Sequence, residues 1–450
     1  VAKNKPFWQD LTIVWKYAIA VVLGLVVGFK TIPTIAVAIF FLLIAVIAVF
    51  KAFKNDFPGF LTILPFAIYT EVFIRANERW VPYLTLQYVL VICFSLFLLN
   101  GVRNSKVHFQ GYFFLALFVA LEFLNNIYPD KPQIGRPILV NSLALLLVTL
   151  WGSRNVLTPM LINKFLTTVK IATIFLTGVV LVSHLQGKID YGTISNSDAS
   201  NGMAPVQLSG YLGAGCALFF LSIMNPEEVK TRLVNMGLLV FAATVMLLTF
   251  SRGGLYFLLA VVGLFFFYNR SKMASYFKFI FLVPVAFVIY SYVVKETGGK
   301  IVERYGQEGA SSREVLVSIG FELFIRNPVT GVGTGNYNTR IVTEKLFQVE
   351  SGAHNEFVRA AAEHGVIGLV LYWGFFVVLF LNILRRPQPQ QQYAMYFFIL
   401  FCLITVHNGL KISLQPFLLL LAVATTSVAY HKKRQIEIKE LPKRALVSAG

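Results

Sequence analysis

The chain has 450 residues, 57% of them hydrophobic, a formal net charge of +18 and a mean hydropathy of +0.70. That composition excludes a soluble globular enzyme and a disordered chain, and leaves a polytopic membrane protein. The positive charge would suggest nucleic acid in a soluble protein; in a membrane chain it reports which face holds Lys and Arg, so no nucleic-acid partner is expected.

Lys3 and Lys5 precede a first apolar run that is long enough to span and has no small-residue cleavage site, so it reads as a membrane helix rather than a signal peptide. Apolar stretches of about the length of a hydrocarbon core number about fourteen. They fall near 11–29, 32–50, 57–74, 81–99, 108–124, 138–152, 165–184, 208–223, 232–250, 251–268, 276–294, 365–383, 393–409 and 412–430. The stretches at 108–124 and 138–152 are short; if they form one hairpin that does not cross fully, the count falls to about twelve. Cys93, Cys216 and Cys402 lie singly inside apolar runs and read as small hydrophobes.

With the N-terminus inside, the basic residues Lys51, Lys54, Arg103, Lys106, Arg154, Lys164, Lys230, Arg232, Arg270, Lys272, Lys278, Arg385, Arg386 and those of the tail from Lys432 to Arg444 all fall on cytoplasmic flanks. The positive-inside rule therefore places both termini in the cytoplasm and the polar stretches 185–207 and 295–364 outside. The expected architecture is an all-α polytopic membrane protein with about 12–14 transmembrane helices. Its parts would be N-terminal membrane helices over 1–294, a large outer loop with short amphipathic helices over 295–364, C-terminal membrane helices over 365–430, and a basic cytoplasmic tail over 431–450.

Within the loop, Ser311-Ser312-Arg313-Glu314 reads as a capping box that opens a helix, and Pro328 must stop it. Val315, Leu316, Ile319, Leu323 and Phe324 recur at helical spacing, which predicts a helix lying along the outer membrane boundary. The glycines of Pro328-Val329-Thr330-Gly331-Val332-Gly333-Thr334-Gly335-Asn336 predict a tight turn with exposed backbone N–H groups. His354 to His364 reads as a short helix ending at Gly365.

Few residues offer chemistry. Arg252, in Ser251-Arg252-Gly253-Gly254, sits where two apolar runs meet at the outer face; it is either a snorkelling anchor or an anion clamp with glycines that let a phosphate approach the backbone. Arg313 places a cation in a first helical turn, where the macrodipole favours anions, so it needs a negative partner: Glu314, Glu308 or a phosphate ligand. His354, followed by Asn355 and Glu356, is a surface histidine or a general base. Aspartate occurs only at Asp10, Asp56, Asp130, Asp190 and Asp198, with no DxD pair and none in the large loop. No P-loop is present, so no metal or cofactor is expected and the energy must come from an activated substrate. The alternative of another class is a transporter or flippase, for which the ionisable residues within spans are few: Lys16, Glu71, Glu122 and Lys170.

Taken in order, Ser251-Arg252-Gly253, Arg313, Asn327-Pro328 with Gly331-Val332-Gly333 and Gly335-Asn336, and His354-Asn355 followed by Gly365 and Gly368 resemble the O-antigen ligase and polymerase superfamily of bacterial membrane glycosyltransferases, over roughly 230–384. The resemblance implies a GT-C-like, metal-independent, inverting enzyme of the inner membrane with its active site on the periplasmic face. The donor would be a glycan on undecaprenyl diphosphate and the acceptor a lipid A-core or other glycan hydroxyl. It further implies that Arg252 and Arg313 bind the lipid-linked diphosphate and that His354 acts on the acceptor hydroxyl, with Asn355, Gly333, Gly335 and Asn336 in support. Leu369-Val370-Leu371 stand where ligases of the family often carry small hydroxylated residues. Ligase, polymerase and protein O-oligosaccharyltransferase therefore all stay open, with ligase the first expectation.

Overall fold

The computed structural model describes residues 7–30, 32–75, 81–82, 84–101, 107–126, 132–187, 189–192, 197–224, 229–280, 282–306, 313–409 and 412–426. Helices account for most of it. They run α1 (Phe7–Gly28), α2 (Thr34–Phe53), α3 (Phe57–Arg75), α4 (Thr85–Gly101), α5 (Tyr112–Asn125), α6 (Pro132–Gly152), α7 (Pro159–Leu185), α8 (Pro205–Met224), α9 (Val229–Leu248) and α10 (Gly253–Tyr268). Then follow α11 (Met273–Ile280), α12 (Leu282–Glu296), α13 (Lys300–Gly306), α14 (Arg313–Arg326), α15 (Tyr337–Thr343), α16 (Glu356–Leu384), α17 (Gln390–Asn408) and α18 (Leu414–Val423). A two-residue parallel pairing of Val156–Leu157 with Thr425–Thr426 is the sheet structure among the described residues.

Among the described residues seven helices are long and apolar enough to cross a membrane, and six shorter apolar helices accompany them. The chain is an all-α polytopic membrane protein. Each of the fourteen apolar stretches contains helix, residues 427–430 of the last lying outside the described residues, and 138–152 belongs to the full-length α6. The other short stretch, α5, has 14 residues, about 21 Å of helix and less than a hydrocarbon core. Its Glu122 is buried against Arg359 rather than facing lipid.

Local chemistry sets the boundaries. Asp56 accepts from the Gly59 N–H at 2.9 Å and pairs with Lys51 at 2.8 Å, fastening the turn from α2 into α3. Thr158 caps α7, which has proline at its first position. The helix from His354 onward breaks at Gly365, whose φ of 62° and ψ of −154° leave the helical region. A side chain there would meet the Val329 carbonyl, so the kink needs glycine.

Helix ends gather in two sets. At one end Lys51 pairs with Asp56, His108 N–H donates to the Ser153 carbonyl, and Arg386 donates to the carbonyls of Val423 and Ala424. At the other end Arg252, α13, α14 and the last turn of α17 come together. This is the pairing of ends that strict alternation of spans requires.

The segment after α12 departs from expectation in one respect. Leu316, Ile319 and Leu323 of α14 do not lie on a membrane boundary but pack with Tyr337, Ile341, Ala353 and Ala362 into a small core of their own. Val315, Phe321 and Ile325 are the exposed apolar residues of that helix. The helical period was right, but Tyr337 and α16 compete successfully with lipid for the apolar stripe. Ser311, Ser312 and Glu308 lie outside the described residues.

Candidate active site

Arg252 is the N-cap residue of α10. The first turn of α10 is held from α8: Gly254 N–H donates to Ser209 Oγ at 2.8 Å, and Ser209 Oγ donates to the Ser251 carbonyl at 3.0 Å. A β-carbon on Gly213 would lie 2.4 Å from Gly254 Cα, and one on Gly253 would lie 2.5 Å from His407 Cε1. Both glycines are buried. They admit α8 and His407, not a phosphate, which corrects the reading of Gly253-Gly254 as an approach to the backbone.

Arg252 does not stand alone. Arg304, on α13, is 8% exposed, and its Nε and Nη1 are buried with no hydrogen-bond partner. Burial, and after it the charge of Arg252, holds the Arg304 guanidinium below the ordinary arginine range. Burial, then Arg304 and Arg252, does the same to Arg313 at the start of α14. Three guanidiniums thus lie within one another's field. Among the described residues no carboxylate pairs with any of them. Glu303, next to Arg304, pairs with Lys300 instead, and Glu314, one of the partners considered for Arg313, makes no such pair.

Beside the arginines lies an apolar cavity of about 600 Å³ between α9, α10, α12 and α13, lined by Ala243, Leu255, Ile289, Val293, Ile301 and Tyr305 among others. Tyr305 follows Arg304 directly, so the apolar space ends against the cationic one.

His354 adopts a left-handed backbone conformation, φ 51°, uncommon for a residue with a β-carbon. Asn355 imposes the geometry that follows. Its side chain accepts from the N–H groups of Phe357 and Val358, at 3.0 and 3.4 Å, and caps α16. His354 lines a cavity of about 230 Å³ together with Asn141, Asn338, Glu356, Arg359 and Glu363. Gly409 lines the same cavity, and His407, two residues earlier, lies within electrostatic reach of Arg313 and Arg252. The end of α17 therefore stands between the His354 cavity and the arginines.

Beneath that cavity is a buried charge cluster. Arg359 donates to Glu356, Glu363 and Glu122 at once. Glu122 lies 3.8 Å from His364 Nε2, and His364 Nδ1 faces Asn125 at 3.0 Å. Among the described residues no group of His, Cys, Asp or Glu is arranged to hold a metal ion; these carboxylates are engaged by Arg359.

The glycine turn is structural. Gly331 N–H donates to the Asn327 carbonyl, Val332 N–H to that of Ala362, and Gly333 N–H to that of Glu363, so these N–H groups are used internally instead of being exposed. Gly331, Gly333 and Gly335 all have positive φ, and a β-carbon on Gly335 would lie 2.7 Å from Gly135 Cα. Asn336 donates to the Val332 carbonyl at 3.0 Å, and Thr334 donates to that of Glu122 at 2.8 Å. The turn fastens the polar segment to α5, α6 and the start of α16, which places His354.

Residues 237–373 match the family model described as O-antigen ligase. That segment therefore carries a domain of the O-antigen ligase and polymerase superfamily. No curated protein matches it closely enough to count as a relative. The matched segment contains Arg252, Arg304, Arg313, the glycine turn and His354, whereas Glu122, Asn141, His407 and Gly409 lie outside it. The superfamily segment is thus completed by α5, α6 and α17. The match implies, in general terms, glycosyltransferase or ligase chemistry on glycan and lipid substrates.

Proposed function

We propose that this protein is an O-antigen ligase: an inverting transferase that moves a glycan from undecaprenyl diphosphate to a hydroxyl of a lipid A-core acceptor at the periplasmic face of the inner membrane. The observation that carries the reading is the pair Arg252 and Arg313, cationic and without carboxylate partners among the described residues, beside an apolar cavity. A lipid diphosphate is both things at once, a polyanion and a long apolar chain. Guanidiniums suit phosphate oxygens because they donate in pairs, and the apolar walls suit the part of the chain nearest the head group.

In the reaction the bond between the anomeric carbon and the phosphate oxygen breaks and its electron pair stays on that oxygen. The acceptor hydroxyl attacks from the opposite side and passes its proton to His354. The left-handed turn holds that imidazole in a cavity whose Asn141 and Asn338 offer hydrogen bonds to a sugar. The polar segment over 295–364 is the part of the chain that carries the acceptor side.

A related polymerase would extend the glycan while it stays on its lipid. Leu369-Val370-Leu371 favours that reading by departing from the ligase pattern, and Val370 is exposed on α16. Acceptor identity separates the two. A deletion strain in which long glycan accumulates on the carrier lipid supports ligase; a strain that loses long glycan altogether overturns it in favour of polymerase.

A further inference from the structure

Two other arginines held inside the protein are answered. Arg359 has three carboxylates, and Arg386 has Asn382 and the carbonyls of Val423 and Ala424. Arg304 is 8% exposed, and among the described residues two of its guanidinium nitrogens are buried without a partner, its neighbouring glutamate turns to Lys300, and two further cations lie in its field. A residue kept for stability would not be left so, because an unpaired buried charge destabilises the fold that holds it.

We propose that Arg304 is a third contact to the diphosphate, matched to the charge that the leaving group gains rather than to the charge the donor brings. The inference rests on the donor reading above. A diphosphate joined to both lipid and sugar carries about two negative charges, and the lipid diphosphate set free carries about three, its terminal phosphate having lost its ester to the sugar. Arg252 and Arg313 balance the first state. As the bond from anomeric carbon to oxygen breaks, the electron pair left on the phosphate oxygen adds the charge that Arg304 is there to meet. Interactions that strengthen only as charge develops accelerate the step, whereas those equal in donor and transition state do not. Arg304 therefore acts on turnover more than on donor affinity, and the site discriminates a lipid diphosphate from a lipid monophosphate.

The test uses the full chain in nanodiscs, with farnesyl diphosphate and farnesyl monophosphate as probes and thermal unfolding of the unliganded protein as a second readout. Arg304→Gln is expected to raise the unfolding midpoint by relieving burial and repulsion. It should weaken farnesyl diphosphate about tenfold or more, the scale of a lost charge-assisted bond, and farnesyl monophosphate by less than about threefold. Arg304→Met, which keeps the apolar stem, should repeat the result. A lowered midpoint in both variants, or unchanged farnesyl diphosphate affinity, makes Arg304 a structural residue and overturns the inference. Arg252→Gln and Arg313→Gln keep the two ideas apart. If they lose diphosphate binding while Arg304→Gln does not, only this inference falls; if none of the three matters, the donor reading falls with it.

Discussion

Gly253 lies directly under the imidazole of His407, so close that a β-carbon would sit 2.5 Å from Cε1. That contact seats the end of α17 on the turn that presents Arg252, and His407 bonds onward to Asn408 at 2.8 Å. Gly253→Ala should therefore lower stability by about 1–3 kcal/mol through overpacking and reduce transfer by displacing Arg252. Adding His407→Ala should recover most of the stability in thermal unfolding. Full stability of Gly253→Ala alone would mean that the glycine serves something other than this contact.

His354 combines a reactive side chain with a backbone conformation that glycine adopts more easily. His354→Gly should leave the unfolding midpoint unchanged or higher, relief of a positive φ being worth up to about 1 kcal/mol. The same change should lower transfer by about 10²–10⁴, the usual contribution of a general base. If His354→Gly transfers glycan at the wild-type rate, the histidine is a turn residue and the base lies elsewhere.

Arg359 holds Glu122, Glu356 and Glu363 together below the His354 cavity. Arg359→Met leaves buried carboxylates without their cation and should cost about 3–5 kcal/mol, read as loss of folded protein in the membrane fraction. Combining it with Glu122→Gln and Glu363→Gln should restore part of the yield. A stable single variant would show that the carboxylates carry protons rather than charge.

Arg304 and Arg313 are bases whose folded pKa lies below the unfolded value, so folding disfavours their charged forms. The resulting penalty is fully present below the folded pKa and fades only in strongly alkaline solution, where the guanidiniums would lose their protons. Above the titration of the phosphate itself, from about pH 7.5 to 9, the cluster stays charged. Binding of farnesyl diphosphate to His354→Ala protein should accordingly be flat across that window. A stepwise fall would show that another group contributes to the anion site.

Much of this was legible in the chain itself. The apolar runs are long and uninterrupted, so each of the fourteen stretches carries a helix. Arg252, Arg313 and His354 were conspicuous because charge and imidazole are rare beside such runs. Arg304 was not, since Lys300-Ile301-Val302-Glu303-Arg304 reads as an ordinary charged turn, and only the tertiary fold turns Glu303 away and buries its neighbour. The spacing of Glu356, Arg359 and Glu363 at i+3 and i+4 was there to be read as ion pairs. Glu122, from a helix far back in the chain, was not. The glycines were recognised as places of close approach, but a sequence does not say what approaches: at Gly253 and Gly331 it is the protein's own His407 and the backbone of Glu363 and His364.

The account stands most directly on one measurement. Purified protein in proteoliposomes is given a lipid-diphosphate-linked glycan and a core acceptor, and glycan conjugate and released lipid diphosphate are quantified for the wild type and for Arg252→Gln, Arg313→Gln and His354→Ala. The account predicts conjugate and lipid diphosphate in equal amounts from the wild type and the loss of both in each variant. Conjugate formed at the wild-type rate by the two arginine variants would contradict it.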